Sequence, residues 1–384
     1  MAKKPYVEVG GKTRKAKKGY VSVNDKARKI KKAYVGVDGK ARAFWSGGEL
    51  RYYGTATALS VGRWNIAGVS TSHHALFGGG YNGGRITTAE AYNTSLTRTT
   101  PSELKCGGGS DIIGAPAGQY AIFIESGGNS YTGILPADAY DSSLTRSTIT
   151  VDKFAKFFDS ISASTQSAAI FSGGCSYGNA SAPMRSYSYA VTSELTINRI
   201  GSVNTGEYPT ACSFGTNALY AGGKTRIKGH YIPVKSASAE VFYYNSSLTV
   251  GTAPALAAGK AGTASATNGK YALFAGGGTY DTKGSWASSN TVDAYDTSLT
   301  RTNPTALSAT DAFYGASLGS YALFASKSND VNVYDQSLTR TTLRKLSVER
   351  TGVASATIGN YALYAGGQIS NDNYSNAVDV YTID

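Results

Sequence analysis

Three histidines, three cysteines and a scatter of carboxylates are the residues of this 384-residue chain that could do chemistry. His73 and His74 adjoin the start of an apolar strand pattern, where a histidine is ordinarily structural. His230 sits among Lys224, Arg226, Lys228 and Lys235, a setting that suits an anion. Cys106, Cys175 and Cys212 are odd in number and lack metal-type spacing, so they read as small half-buried thiols made in a reducing cytoplasm. Glycoside hydrolysis needs paired carboxylates. Asp281, Asp330 and Asp372 fall in variable connections, where acids are routine. The Gly-Gly-Gly runs at 78–80, 107–109 and 276–278 lack the Lys-Ser/Thr of a phosphate loop. With no general acid–base constellation, the expectation is a non-enzyme that uses no cofactor and no metal.

Aromatic residues are more suggestive. Tyr81, Tyr131, Tyr177, Tyr231, Tyr280, Trp286 and Tyr374 all fall in segments that share no sequence with one another. Asn82, Asn129, Asn179, Asn290, Asn371 and Asn373 accompany them. Ring faces with amides suit sugar rings, and they suit protein recognition equally well. Any one of these tyrosines could also simply pack loop against loop. Together with His230 they form the candidate ligand-binding set.

The elements that must position this set repeat. An apolar strand with a central aromatic recurs at Phe77, Phe123, Phe171, Tyr220, Phe274, Phe324 and Tyr364, at spacings of 46, 48, 49, 54, 50 and 40 residues. A second signature, Ser-Leu-Thr-Arg or a variant of it, centres on Leu96, Leu144, Leu195, Leu248, Leu299 and Leu338. This period, with a Gly doublet after the strand, predicts an all-β fold: a seven-bladed β-propeller resembling the kelch type. The resemblance lies in the Gly-Gly and the later Tyr. The Trp expected of a kelch outer strand is missing, and a Ser-Leu-Thr-Arg turn stands there instead. The chain ends just where a seventh such turn should follow. RYYGTATALS at 51–60 shares its ending with LTRTNPTALS at 299–308. The segment 51–60 is therefore expected to close the last blade beside Tyr381, leaving no unpaired edge in the ring. Asp141, Asp296 and Asp335 are placed for Asx turns between strands c and d. The a–b and c–d turns recur, while the b–c segments differ in length and content. Propeller connectivity gathers the b–c segments on one face, and the chain enters from the other.

The formal net charge of +12 belongs almost entirely to one end. Residues 1–45 hold 14 of the 37 Lys and Arg and 3 of the 25 acids, so the remainder sets 23 bases against 22 acids. This basic arm precedes a propeller domain spanning 46–384. It is itself a repeat: KKPYVEVGGKTRKA, KKGYVSVNDKARKI and KKAYVGVDGKARAF align at a spacing of 14. Tyr6, Tyr20 and Tyr34 correspond, as do Lys12, Lys26 and Lys40. Each unit reads as a short strand, a two-residue turn that accepts positive φ, and a returning strand. Three hairpins of this size cannot bury a core, so the arm is expected to dock on a partner or on copies of itself. Bases alternating with Tyr and Val describe a two-faced ribbon, which argues against nucleic acid as its partner. The sequence has no apolar run of membrane-spanning length and no apolar secretion signal.

The tandem KKxYVGVxGKARK pattern resembles short repeats in structural proteins of phages and prophages of Gram-positive bacteria. The resemblance covers about residues 1–45. It implies a virion component assembled in the host cytoplasm, whose arm binds other virion proteins. The propeller would then be associated with a tail fibre or baseplate and would meet a host-surface glycan or protein. A purely structural head-decorating protein is the alternative.

Overall fold

The computed structural model describes residues 6–9, 12–15, 20–23, 26–29, 32–37, 40–46, 49–106, 111–126, 137–149, 160–173, 187–201, 203, 209–226, 235–280, 285–311 and 313–383, those before 47 as backbone only. Seven four-stranded antiparallel sheets follow one another as the blades of a β-propeller. They span 67–99, 111–149, 160–201, 210–253, 264–302, 313–343 and 354–383, each with strands a to d from the axis outward. The outer strand of the seventh blade is Leu50–Thr55, which pairs with Val378–Ile383. The ring is thus closed by the segment that the shared Thr-Ala-Leu-Ser ending singled out. Ala56 and Leu59 extend the pairing, donating to the carbonyls of Val378 and Asn376.

Strand b lies in the middle of each blade and is covered on both sides. Its residues therefore read as an unbroken apolar run, Ala272–Ala275 for example, and all four are buried. Burial is organised between blades: seven apolar clusters each join one blade to the next. The b-strand aromatic meets the tyrosine that ends strand c edge to face, as in Phe274–Tyr295, with centroids 6.0 Å apart. That tyrosine also ties down the chain arriving from the previous blade. Tyr92, Tyr140, Tyr295, Tyr334 and Tyr381 donate to the carbonyls of Thr57, Ser102, Pro254, Thr305 and Arg344.

The c–d turns are built alike. The side chain of Asn93, Asp141, Asn245, Asp296 or Asp335 accepts the backbone N–H groups two and four residues on. These are the expected Asx turns. The leucine three residues after each turn acid or amide has φ between 59° and 65°, a left-handed backbone in which glycine is the usual residue. Leucine stays because its side chain packs on the core, as Leu299 does beside Phe274 and Tyr295.

In the arm, three two-stranded sheets pair Tyr6–Val9 with Lys12–Lys15, Tyr20–Val23 with Lys26–Lys29, and Lys32–Val37 with Lys40–Ser46. Tyr6 and Tyr20 hold the same register position, opposite Lys15 and Lys29. Tyr34 stands opposite Ala43. Lys12, Lys26 and Lys40 stand opposite Val9, Val23 and Val37.

Candidate ligand-binding face

Backbone bonds between the d–a connections and the bases of the b–c connections fix which face carries the variable segments. Trp64 bridges Tyr81, Ala261 bridges Gly278, and Thr351 bridges Gln368. The opposite face holds the a–b and c–d turns, joined between neighbours by bonds such as Asn268 Nδ2 to the carbonyl of Asp335. Leu50, where the closing strand begins, pairs with Ile383 at that opposite face. The chain therefore enters the closing strand on the side of the ring opposite the variable segments.

Several segments that read as loops are hairpins standing on the blades. In blade 4, Lys224–Arg226 pairs with Lys235–Ala237; in blade 5, Gly278–Tyr280 pairs with Trp286–Ser288; in blade 7, Gln368–Ser370 pairs with Asn373–Tyr374. Blade 1 has a tighter connection, with Tyr81 bridging Arg85. Hairpins carry their own backbone bonds, so they can project without leaving donors and acceptors unmade.

Four of the expected ligand-binding residues gather in two places. In the first, strand Lys235–Ala237 of blade 4 runs against strand Gly278–Tyr280 of blade 5. There Tyr280 and Trp286 meet edge to face, 5.1 Å apart and inclined by 69°. The Lys224 ammonium lies 5.4 Å from the Tyr280 centroid and 5.6 Å from that of Trp286. The second place is the junction of blades 7 and 1. Tyr374 stands near Tyr81, and its phenol is raised from its ordinary value by loss of hydration, then by Asp372 and Tyr81. Trp64 fills the floor of that junction against Gly352. Tyr131, Tyr177, His230 and Tyr231 lie outside the described residues, as do Cys175 and Asp281. His73 and His74 are in the a–b turn of blade 1, away from this face, where burial and then His73 lower the His74 imidazole. Cys106 and Cys212 are buried, and burial raises both thiols. Among the described residues, no three of His, Cys, Asp and Glu converge as a metal site.

Beneath the hairpins lies a layer that sequence reading missed. Strand c carries a fully buried acid in four blades: Glu90, Asp138, Asp293 and Asp379. Arg63, Lys260 and Arg350 of the d–a connections pair with Glu90, Asp293 and Asp379, the last two at 2.8 Å. Arg350 also donates to the carbonyls of Gly366, Val348 and Tyr364, so the charge is fully engaged. In blade 2, Asp138 accepts from the N–H groups of Lys105 and Cys106 instead. The signal was present as a leucine four residues before a cation, at Leu59–Arg63, Leu256–Lys260 and Leu346–Arg350. These pairs anchor the floor of the face and touch no open surface.

The axial channel is narrow. A cavity of about 390 Å³ is lined by the first strand of every blade, including Ile66, Ile112, Phe313 and Val353. Hydroxyls stitch neighbouring inner strands together. Ser162 Oγ donates to the carbonyl of Gly114, and Ser265 and Ser355 do the same to Ala211 and Gly315. One step along the strands, Ser213, Ser317 and Ser70 accept the N–H groups of Ser164, Thr267 and Thr357. Among the described residues, every seam is bridged in this way except that between blades 1 and 2, where Val69 meets Gly114 and Pro116 replaces the serine.

No protein-family model matches the sequence, and no curated protein does. Among solved structures, the chain is similar to one described as "Structure of YjhT", with a TM-score of 0.54 and 10% identity over 86% of this chain and 99% of that one. At that identity the likeness speaks to the fold alone.

Proposed function

We propose that this chain is a structural component of a bacteriophage or phage-tail-like particle, associated with a tail fibre or baseplate. Its propeller presents a recognition face to a host-surface glycan or protein. The observation that carries this reading is the opposition of the two faces. The repeat-built basic arm joins the ring at the c–d side through Leu50, and the hairpins of blades 4, 5 and 7 rise on the other side. A chain anchored at one side and diversified at the other is suited to display. The resemblance of the arm to phage structural repeats supplies the setting. The arm docks on other virion proteins, and the reading includes no catalytic step.

The test is incorporation. Removal of residues 1–45 is expected to leave a folded ring that no longer joins particles, while the full chain does. A truncated chain that still joins particles refutes the anchor. Electron microscopy of particles carrying a bulky C-terminal tag gives the location. Density at the tail tip or baseplate supports host recognition, and density spread over the head replaces it with decoration.

A further inference from the structure

Trp286 is both exposed and held. Its relative exposure is 45%, so much of the indole forgoes burial. Yet the ring has a built seat. A Cβ on Gly278 would stand 2.4 Å from Cζ2 of the indole, so the bare glycine is what lets the ring lie there. The indole Nε1 donates to Ser288 Oγ at 3.2 Å, and Tyr280 braces the ring. An ordered aromatic surface facing solvent contributes little to the fold. It suits a flat apolar group whose edges stay hydrated, as a pyranose ring does.

The hairpin beside it is loaded with one sign of charge. Residues 223–239 contain Lys224, Arg226, Lys228 and Lys235 and no acid. The register sets Arg226 directly opposite Lys235. Like charges at facing positions destabilise a hairpin, and a bound anion reverses that effect. Lys224 brings the same charge to the rings of Tyr280 and Trp286. The propeller as a whole is nearly neutral, with 23 bases against 22 acids beyond residue 45, so four cations without an acid in this one segment stand out. A local cationic spot does not supply the long basic track that a nucleic acid backbone needs. It matches the sparser charges of an acidic saccharide.

We propose that the junction of blades 4 and 5 is a subsite for an anionic saccharide. Trp286 is the stacking platform, Tyr280 positions it, and the cationic hairpin that carries Lys224 receives the carboxylate or phosphate. This deepens the display reading and rests on it for biological meaning.

The experiment titrates the full chain with polygalacturonate, phosphomannan, neutral dextran and double-stranded DNA, reading tryptophan fluorescence and retention on immobilised polymer. At least one acidic polysaccharide is expected to bind about tenfold or more tightly than dextran, and which one binds identifies the anion. Trp286→Ala is expected to lose about tenfold in affinity with an unchanged melting temperature, and Trp286→Tyr to keep most of it. The pair Lys224→Gln and Arg226→Gln is expected to remove the preference for acidic over neutral polymer. Equal binding of dextran, Trp286→Ala binding that matches the unaltered chain, or binding of DNA alone each overturns the subsite. Particles separate this failure from that of the display reading. If Trp286→Ala particles attach to cells as unaltered ones do, the subsite falls and display stands. If the arm-deleted chain still joins particles, the anchor falls while saccharide binding by the purified chain stays measurable.

Discussion

The two faces of the ring are made from nearly equal numbers of connections, and they have been treated oppositely. On the c–d face the same turn is used again and again, down to a leucine held at φ near 60° in six blades. On the other face, the hairpins of blades 4, 5 and 7 share neither length nor residues. Repetition on the first face has a mechanical cause, since each turn must seat a leucine on its own interblade cluster. The other face rests on its own floor of ion pairs and is free to vary above it. Recurrent residues in this molecule answer to packing, and the singular ones to whatever the face meets.

This contrast can be broken first at the floor. Arg350→Met leaves Asp379 buried without its cation and should cost about 3–5 kcal/mol in denaturant unfolding. Lys345→Met, at the exposed pair with Glu349, should produce no measurable change. Comparable losses at the two sites would mean that the buried pairs are not what holds the floor.

The inner seams come next. A Cβ on Gly68 would stand 2.1 Å from the carbonyl oxygen of Ser355, so Gly68→Ala must push blade 1 away from blade 7. A loss of about 1–3 kcal/mol in thermal or denaturant unfolding is expected. An unchanged transition would show that the ring tolerates slack there.

A smaller effect is tied to acid. Burial pushes the Asp293 carboxyl up, but hydrogen bonding and charge from Lys260, the Ala257 N–H and Arg301 outweigh it and hold the group below its ordinary value. A carboxylate depressed by folding adds stability above its unfolded pKa, about 3.9. That contribution is lost as pH falls through the folded value. The stability gap between the unaltered chain and Asp293→Asn should therefore be widest near neutrality and narrow below about pH 4. A gap constant with pH would remove the ion pair from the account.

The smallest stability effects belong to the singular face and to the turn leucines. Trp286→Ala should shift unfolding by no more than about 1 kcal/mol. Leu299→Gly should also stay within about 1 kcal/mol, since relief of left-handed strain offsets lost packing and the greater freedom of unfolded glycine. A large loss at Trp286 would make its exposed indole part of the fold and blunt the contrast between the faces.

Much of this architecture was legible. The period gave seven blades, and the Thr-Ala-Leu-Ser ending found the closing strand because it marks the approach to strand a of the next blade. The Asx turns were visible in Asp141, Asp296 and Asp335. The floor was not, for a physical reason. AEAY at 89–92 and ADAY at 137–140 look like alternating strands with one wet face, but both are buried throughout. The cations that neutralise Glu90, Asp293 and Asp379 lie 27, 33 and 29 residues upstream, beyond any local pattern. Trp286 and Tyr280 were legible as candidates by their place in a variable segment. Their seat was not, because it depends on Gly278, two positions along the facing strand, through a register that only pairing reveals.

The closing strand has a consequence for force. Leu50–Thr55 runs lengthwise from the arm's face toward the face with the hairpins, and its partners extend from Ile383 to Asp379. Tension applied between the arm and a ligand held on the far side acts along the strand axis. Its rungs are then loaded together in shear, instead of parting singly like a zipper. Tyr52 reinforces them, its hydroxyl donating to Asp379 at 2.8 Å and its ring set edge-on to Tyr381. The joint that shuts the circle is also its tow line, drawn in the direction in which a β-ladder resists best.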